Sequence, residues 1–309
     1  MTKTLRIATR RSPLAMWQAE HVASLLQTEH PGLQTALVPM RTRGDKILDR
    51  SLSKVGGKGL FIKELEVALM EDRADIAVHS MKDMPAGITP GLCITAVLER
   101  ASPFDALVSA SCASIDALPD RARVGTSSLR RASQMLRLRP DLEIVALRGN
   151  VETRLGKLDN GECVAIMLAV AGLERLGLDQ RIAARLPAKQ CLPAVGQGVI
   201  GIECRENDSR VRDLLDDLHN VESGVALAAE RALGAGLDGN CQSPIAAFAQ
   251  ADGDAWVLRA RVLAPDGSEC IEGSTRFAPG DAGRAGADLA GELLGKGARR
   301  ILDDIATAS

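Results

Sequence analysis

The chain has 309 residues, with 38 Lys and Arg against 40 Asp and Glu, a formal net charge of -2, 46% hydrophobic residues and only 2% aromatic. That apolar content with 25% charge is ordinary globular composition and excludes a disordered chain. The length suggests two or three domains at roughly 100–200 residues each.

From the N-terminus, residues 5–9 read as a strand, and Ser12-Pro13 supplies a helix N-cap with Pro at the first helical position. That helix runs to about residue 30 and stops at Pro31-Gly32, and residues 33–40 read as a second strand. Residues 41–59 contain Gly44, Gly56, Gly57 and Gly59 and lack clear periodicity, so they are expected to form a functional or mobile loop. Within it, Gly56-Gly57-Lys58-Gly59 is neither a Walker A nor a G-x-G-x-x-G motif. An amphipathic helix over 60–72, a short buried strand over 74–78 and a strand over 93–98 follow.

A second unit of the same kind begins near residue 100, with strands at 106–109, 124–125, 144–147 and 164–168 and helices at 128–139 and 150–160. Strands alternating with helices imply parallel sheets covered on both faces. The Gly/Pro-rich stretch 192–198 reads as a crossing, after which a strand over 199–203 rejoins the first sheet. From about 218 the pattern changes to a helix (221–235), strands (245–250, 255–263, 270–277) and a helical stretch (282–307). The expected fold class is therefore α/β: two doubly wound domains plus a smaller α+β C-terminal domain. Domain 1 takes residues 1–99 and 199–217, domain 2 takes 100–198, and domain 3 takes 218–309.

The longest apolar runs, such as 164–171, fall far short of the roughly 20 residues that span a bilayer. The first residues lead straight into a strand without an apolar leader. Cysteines stand at 93, 112, 163, 191, 204, 241 and 270, an odd number with no C-x-x-C pair, and the four His residues are scattered. A cytoplasmic protein without a metal site is expected.

The basic residues divide into 29 Arg and 9 Lys. Codon bias would produce this, and so would bidentate capture of carboxylate or phosphate. Residues 121–157 hold nine basic and three acidic residues. There Gly125-Thr126-Ser127-Ser128 ends a strand and opens a helix, placing hydroxyls and free N–H groups at a helix N-terminus. Arg130 and Arg131 sit in that first turn, where the helix dipole disfavours cations by a few tenths of a kcal/mol. A bound anion would offset this cost. Arg148-Gly149-Asn150 repeats the arrangement, with Arg154 one turn onward. Arg10, Arg130, Arg131, Arg148, Arg154 and Arg175 are expected to converge on one cleft at strand ends. For any single Arg the bland alternative is a solvated helix face.

His79-Ser80-Met81-Lys82-Asp83 ends a buried strand with four polar groups in five residues. A Ser80/His79/Asp83 hydrolase triad is disfavoured, because neighbours on an extended chain alternate faces and no G-x-S-x-G elbow exists. Asp83, beside Lys82, is better placed to stabilise a developing cation and move protons. Cys241 lies on a turn, after Gly239-Asn240 and before Pro244, where a thiol is available for covalent attachment.

Seven segments in order carry a resemblance to the porphobilinogen deaminase (hydroxymethylbilane synthase) family. They are Arg6-Ile-Ala-Thr-Arg10-Arg-Ser12-Pro-Leu-Ala, Lys54-Val-Gly-Gly-Lys58-Gly-Leu-Phe61, Ala77-Val-His-Ser-Met-Lys82-Asp83, Val124-Gly-Thr-Ser-Ser-Leu-Arg-Arg131, Leu147-Arg-Gly-Asn-Val151, Leu192-Pro-Ala-Val-Gly-Gln-Gly198 and the Cys241 turn. The resemblance implies two periplasmic-binding-protein-like domains and a third that carries the cofactor cysteine. It implies a transferase of tetrapyrrole (porphyrin, haem) biosynthesis that joins four porphobilinogen units head to tail, releasing ammonia each time, before water frees hydroxymethylbilane. Cys241 matches the residue that holds a dipyrromethane cofactor through a thioether. Asp83 matches the catalytic carboxylate, which hydrogen-bonds pyrrole N–H groups and stabilises cationic azafulvene-like intermediates.

The same resemblance assigns Lys82, Ser80, Thr126, Ser127, Ser128, Arg130 and Arg131 to the cofactor. It assigns Arg10, Ser12, Gln18, Lys58, Phe61, Arg148, Arg154, Arg175 and Gln197 to the substrate, whose rings each carry an acetate and a propionate. A monomer is the family expectation. The cysteine turn departs from the family pattern, with Asn240 replacing a Gly and Ser243 a β-branched residue. Asn tolerates φ > 0 best after Gly, so the turn is expected to persist. The main competing reading is a non-catalytic two-lobed protein that binds a small polycarboxylate. Nucleic acid is a poorer partner, since the chain is net negative and lacks aromatic stacking platforms.

Overall fold

The computed structural model describes residues 4–42, 44, 62–239 and 243–308. The expectations for loop 41–59 beyond residues 41, 42 and 44, and for Lys58, Phe61, Asn240 and Cys241, lie outside the described residues. In chain order, the elements begin with β1 (Leu5–Arg10), α1 (Pro13–Glu29), β2 (Thr35–Met40), α2 (Lys63–Met70), β3 (Ile76–Ser80) and β4 (Leu92–Val97). Next come β5 (Asp105–Val108), β6 (Arg123–Gly125), α3 (Leu129–Leu138), β7 (Glu143–Val145), α4 (Val151–Asp159), β8 (Ala165–Ala169), α5 (Val170–Arg175) and β9 (Ala184–Leu186). The last are β10 (Ile200–Arg205), α6 (Ser209–Asp216), α7 (Val221–Gly236), β11 (Ile245–Asp252), β12 (Ala255–Leu263), β13 (Cys270–Phe277), α8 (Ala282–Leu293) and α9 (Arg299–Ala308).

The chain forms two compact units, Met1–Ala101 with Val199–Gly224, and Ser102–Gly198 with Val225–Ser309. In the first, strand alternation separates two apolar faces. Leu5 and Ile7 of β1 and Ile76 and Val78 of β3 pack with Val22 and Leu26 of α1. Ala8 and Ala77, one residue out of phase, pack on Leu65 and Leu69 of α2. Full burial of each Leu or Ile contributes about 1.5–3 kcal/mol. The helix α1 starts where Ser12 Oγ accepts from the Ala15 N–H at 3.4 Å, with Pro13 next in line as the sequence implies.

The second unit repeats this plan. Leu107, Val124 and Met167 face Met135 of α3, while Ala106, Ile166 and Leu168 face Leu155 of α4 and Leu173 of α5. Its sheet order, β7-β6-β8-β5-β9, mirrors the first unit's β2-β1-β3-β10-β4. The expectation of parallel sheets needs correction. β2, β1 and β3 run parallel, as do β7, β6 and β8, but β10 is antiparallel to β3 and β4, and β5 to β8 and β9. β5 and β10 are the first strands after the chain changes unit, so no βαβ crossover constrains their direction. The strand that rejoins the first sheet is present as β10.

The α+β part is a three-stranded antiparallel sheet, β11-β12-β13, whose apolar face packs on α7 and α8. The two helices approach closely because Gly286 lacks a Cβ; one built there would lie 2.2 Å from the Ala229 carbonyl oxygen. This sheet belongs to the second unit. Fully buried Glu230 accepts the N–H groups of Gly196 at 2.7 Å and Ala249 at 2.9 Å, and Phe104 meets Phe248 edge-on.

Candidate active site

Parallel strands end together, and side chains at their carboxyl ends meet beyond the sheet. In the first unit this forms an open hollow beyond the ends of β1 and β3. Arg10 and Ser12 reach it from the end of β1, Gln18 from α1, and Ser80, Lys82 and Asp83 from the end of β3. Six of the residues singled out from the sequence therefore share one wall. Asp83 closes a single 3-10 turn, Met81–Asp83, and both Lys82 and Asp83 are half-buried.

Three contacts hold that turn. The Met81 N–H donates to the Val199 carbonyl at 3.0 Å. The Met81 side chain fills the space that a Cβ on Gly201 of β10 would occupy, 2.1 Å from its sulfur. Gln18 Nε2 donates to Ser80 Oγ at 2.9 Å, tying α1 to the end of β3. On the other face of β3, His79 Nε2 lies 3.0 Å from Glu203 Oε2, both residues buried. Oε1 of Glu203 accepts no hydrogen bond from any described residue. With His79 engaged by Glu203 and Ser80 by Gln18, no hydrolase triad exists there.

The second unit holds a different arrangement. Arg130 and Arg131 lie in the first turn of α3, capped by Ser128, and are almost completely buried. The anion that offsets their position is a residue of the chain itself, Asp105 at the start of β5. Its Oδ1 accepts from Arg131 Nε at 2.9 Å, Arg131 Nη2 at 2.7 Å and Gln197 Nε2 at 3.1 Å. Its Oδ2 accepts from Arg130 Nη1 at 2.7 Å and from the Cys191 thiol at 3.3 Å. Burial alone would raise the Asp105 pKa, but the two guanidinium charges outweigh it and hold the carboxyl well below the usual range. Burial and the Asp105 charge push the Cys191 thiol up to about 12.

Nearby hydroxyls have structural partners. Ser127 Oγ donates to the Leu147 carbonyl and accepts its N–H, both at 3.0 Å, and Thr126 Oγ1 accepts from the Ser128 N–H at 3.2 Å. Arg154 Nε donates to the Gly149 carbonyl at 2.9 Å, and Arg175 Nη2 to that of Gly198 at 2.8 Å. Burial pulls the Arg175 guanidinium down to about 10. Arg148 is half-buried. Of the six arginines expected in one cleft, Arg10 belongs to the first unit and the other five to the second. Sequence reasoning passed over Asp105, Glu203 and Gly201. The available signal was a charged residue at the head or middle of an otherwise apolar strand, Asp105-Ala-Leu-Val and Ile200-Gly-Ile-Glu203.

Residues 5–213 match the family described as porphobilinogen deaminase, dipyromethane cofactor binding domain, and residues 225–295 match its C-terminal domain. The chain belongs to the porphobilinogen deaminase family. Membership makes it a transferase of tetrapyrrole synthesis and associates it with a dipyrromethane cofactor and porphobilinogen as substrate. Among solved structures, the chain is similar to the methionine-binding protein MetQ, at 15% identity over 70% of this chain and 89% of that one, with a TM-score of 0.47. It is also similar to a periplasmic substrate-binding protein of an ABC transporter from Coxiella burnetii, at 15% identity over 70% and 92%, TM-score 0.44. A third is the periplasmic VFT2 domain of BvgS from Bordetella pertussis, at 17% identity over 70% and 86%, TM-score 0.41. Among the described residues no helix is long and apolar enough to cross a membrane.

Proposed function

We propose that this porphobilinogen deaminase family member is a cytoplasmic, monomeric hydroxymethylbilane synthase that carries its dipyrromethane on Cys241. It condenses four porphobilinogen molecules head to tail and then releases hydroxymethylbilane to water. Residues 1–99 with 199–217 act as the catalytic domain, 100–198 as the anion-binding domain and 218–309 as the cofactor-attachment domain. The observation that carries the reading is the first unit's hollow, where Asp83 shares a wall with Arg10 and Lys82.

The donor set suits the group. Cations and hydroxyls match the acetates and propionates of pyrrole rings, and a carboxylate between them matches pyrrole N–H. When bound, the dipyrromethane supplies a primer with a pyrrole carbon open to the next unit. Arg10 and Ser12 then hold the carboxylates of the incoming porphobilinogen and fix its aminomethyl carbon, while Lys82 and Ser80 hold the cofactor. Asp83 accepts the pyrrole N–H and faces the positive charge that builds as the carbon–nitrogen bond breaks and ammonia leaves. A fixed carboxylate beside developing positive charge lowers the barrier; for the converse case, a hydrogen-bond donor facing a developing oxyanion, removal typically costs 10²–10³-fold in rate, about 2.7–4 kcal/mol. Thr126, Ser127, Ser128, Arg130 and Arg131 serve the cofactor, and Arg148, Arg154, Arg175 and Gln197 serve the carboxylates of the substrate units. The family resemblance assigns Lys58 and Phe61 to the substrate as well, and Gln18 supports Ser80.

The test joins intact mass with turnover. The native protein is expected to carry the mass of two pyrrole rings, absent from Cys241→Ala. Asp83→Ala is expected to keep that adduct and the fold while losing at least ~10²-fold in kcat. Normal bilane production by Asp83→Ala would remove the carboxylate from the mechanism. An unmodified native mass without deaminase activity would favour a polycarboxylate-binding protein instead.

A further inference from the structure

The first unit contains two cysteines that face each other across an antiparallel strand pair. Cys204 of β10 is the register partner of Cys93 of β4. Two steps further along the same register, past Arg205 and Leu92, the Glu206 N–H donates to the Gly91 carbonyl at 3.0 Å. Hydrogen-bonded and non-hydrogen-bonded pairs alternate along an antiparallel ladder, so Cys204 and Cys93 form a hydrogen-bonded pair with Cα atoms about 5.5 Å apart. That separation lies within the roughly 4.4–6.8 Å that a disulfide spans.

The side chains meet on one face. The register of β4 and β10 slips between Ile202 and Glu203, leaving Thr95 as an extra residue on β4. This bulge brings the Thr95 hydroxyl to 3.0 Å from the Cys204 sulfur and 3.3 Å from the Cys93 sulfur. One oxygen in reach of both sulfurs places them side by side. Among the described residues no other two cysteines are register partners in a sheet.

Access to the two thiols differs. Cys93 is half-buried and Cys204 is fully buried, its thiol donating to the Arg205 carbonyl at 3.4 Å. Burial pushes the Cys204 thiol up to about 11. A thiol held protonated is a slow nucleophile, so the more accessible partner, Cys93, must react first.

We propose that Cys93 and Cys204 are a thiol–disulfide exchange site that forms a reversible cross-strand disulfide with a low-molecular-weight disulfide of the glutathione type as oxidant. The Cys93 thiolate attacks one sulfur of the oxidant, forming a mixed disulfide and releasing one reduced thiol. Cys204 loses its proton and attacks the Cys93 sulfur, which releases the second thiol. The two cysteines give up two electrons, the oxidant accepts them, and the two protons leave on the two released thiols. Thr95 assists by donating its hydroxyl hydrogen to whichever sulfur is anionic. Opposed Cβ atoms in a sheet stand about 4.5–5.5 Å apart, against the roughly 3.5–4.5 Å of a relaxed disulfide. The closed bond is therefore drawn tight and readily reduced.

The intact protein is incubated with oxidised glutathione at about pH 8.5, near the pKa of a free thiol, then alkylated, digested with trypsin and mapped by mass. The expected product is residues 83–100 joined to residues 190–205, lighter by two hydrogens, with fragmentation placing the bond on Cys204 rather than Cys191. Reduced glutathione should reverse it. Cys204→Ala should instead retain a glutathione adduct on Cys93, and Cys93→Ser should give neither product. A wild-type protein that keeps the Cys93 adduct without the linked peptides, or that links Cys93 to another cysteine, would overturn the proposal. Neither variant touches the hollow around Asp83, so loss of the exchange and loss of the deaminase reading are separately visible.

Discussion

A single buried carboxylate can organise more of a site than the cations it holds. Asp105 is fully buried and receives five donors from Arg130, Arg131, Gln197 and Cys191. Removing its charge leaves two buried guanidinium groups uncompensated, and breaking a buried pair in this way costs about 3–5 kcal/mol. Asp105→Asn is therefore expected to lower the thermal midpoint strongly at neutral pH, as measured by calorimetry. Because the folded-state pKa is depressed, the stability supplied by Asp105 is present above its unfolded value of about 3.9. It is lost as pH falls through the folded value. The wild-type advantage should thus be constant from neutrality to near pH 4 and shrink only in stronger acid. An advantage that fades between pH 7 and 5 would assign it to another group.

At the scale of the element, β10 decides how the Asp83 turn sits on its sheet. Gly201 pairs with His79, and a methyl group there would fall on the Met81 sulfur. Overpacking of this kind costs about 1–3 kcal/mol, and the flexible end that must yield is the side chain beneath the 81–83 turn. Gly201→Ala is expected to fold with reduced stability and to lose far more kcat than its stability change explains. Equal losses in a variant at Gly32, where nothing lies within 4 Å of a Cβ but φ is +91°, would reduce the effect to general destabilisation.

This strand also marks where sequence reading stops. β1 and β3 were legible as short, largely apolar runs, and α1, α3 and α4 from the caps at Ser12, Ser128 and Asn150. Strand direction is not written in such runs, so the antiparallel course of β5 and β10 was not visible. Short β9 and α6 gave too few residues for a pattern. The first-unit hollow was legible because its residues flank two strand ends. The pairing of Asp105 with Arg130 and Arg131 was not, since the partners are 25 and 26 residues apart and meet only once the sheet is formed.

Across the whole chain, the charge average misstates what a ligand meets. The net charge is -2, yet residues 121–157 carry nine basic and three acidic residues, while residues 221–309 carry 13 acidic and eight basic. The two views give opposite signs for the effect of salt on a dicarboxylate substrate. If the average governs approach, the protein repels the substrate, screening relieves that repulsion, and KM falls with added salt. If the local arginines govern, screening weakens attraction and KM rises. The Debye length shrinks from about 10 Å at 0.1 M to about 3 Å at 1 M, so half-buried cations such as Arg10 and Arg148 are exposed to the effect. The buried Asp105 pairs are shielded from it. Between about 0.05 M and 0.5 M salt, KM for porphobilinogen is expected to rise several-fold. Meanwhile kcat and the thermal midpoint should change little, because Asp83 acts at contact distance and the buried pairs persist. A KM that falls over that range would give control to the average charge and take the Arg-dense segment out of substrate binding.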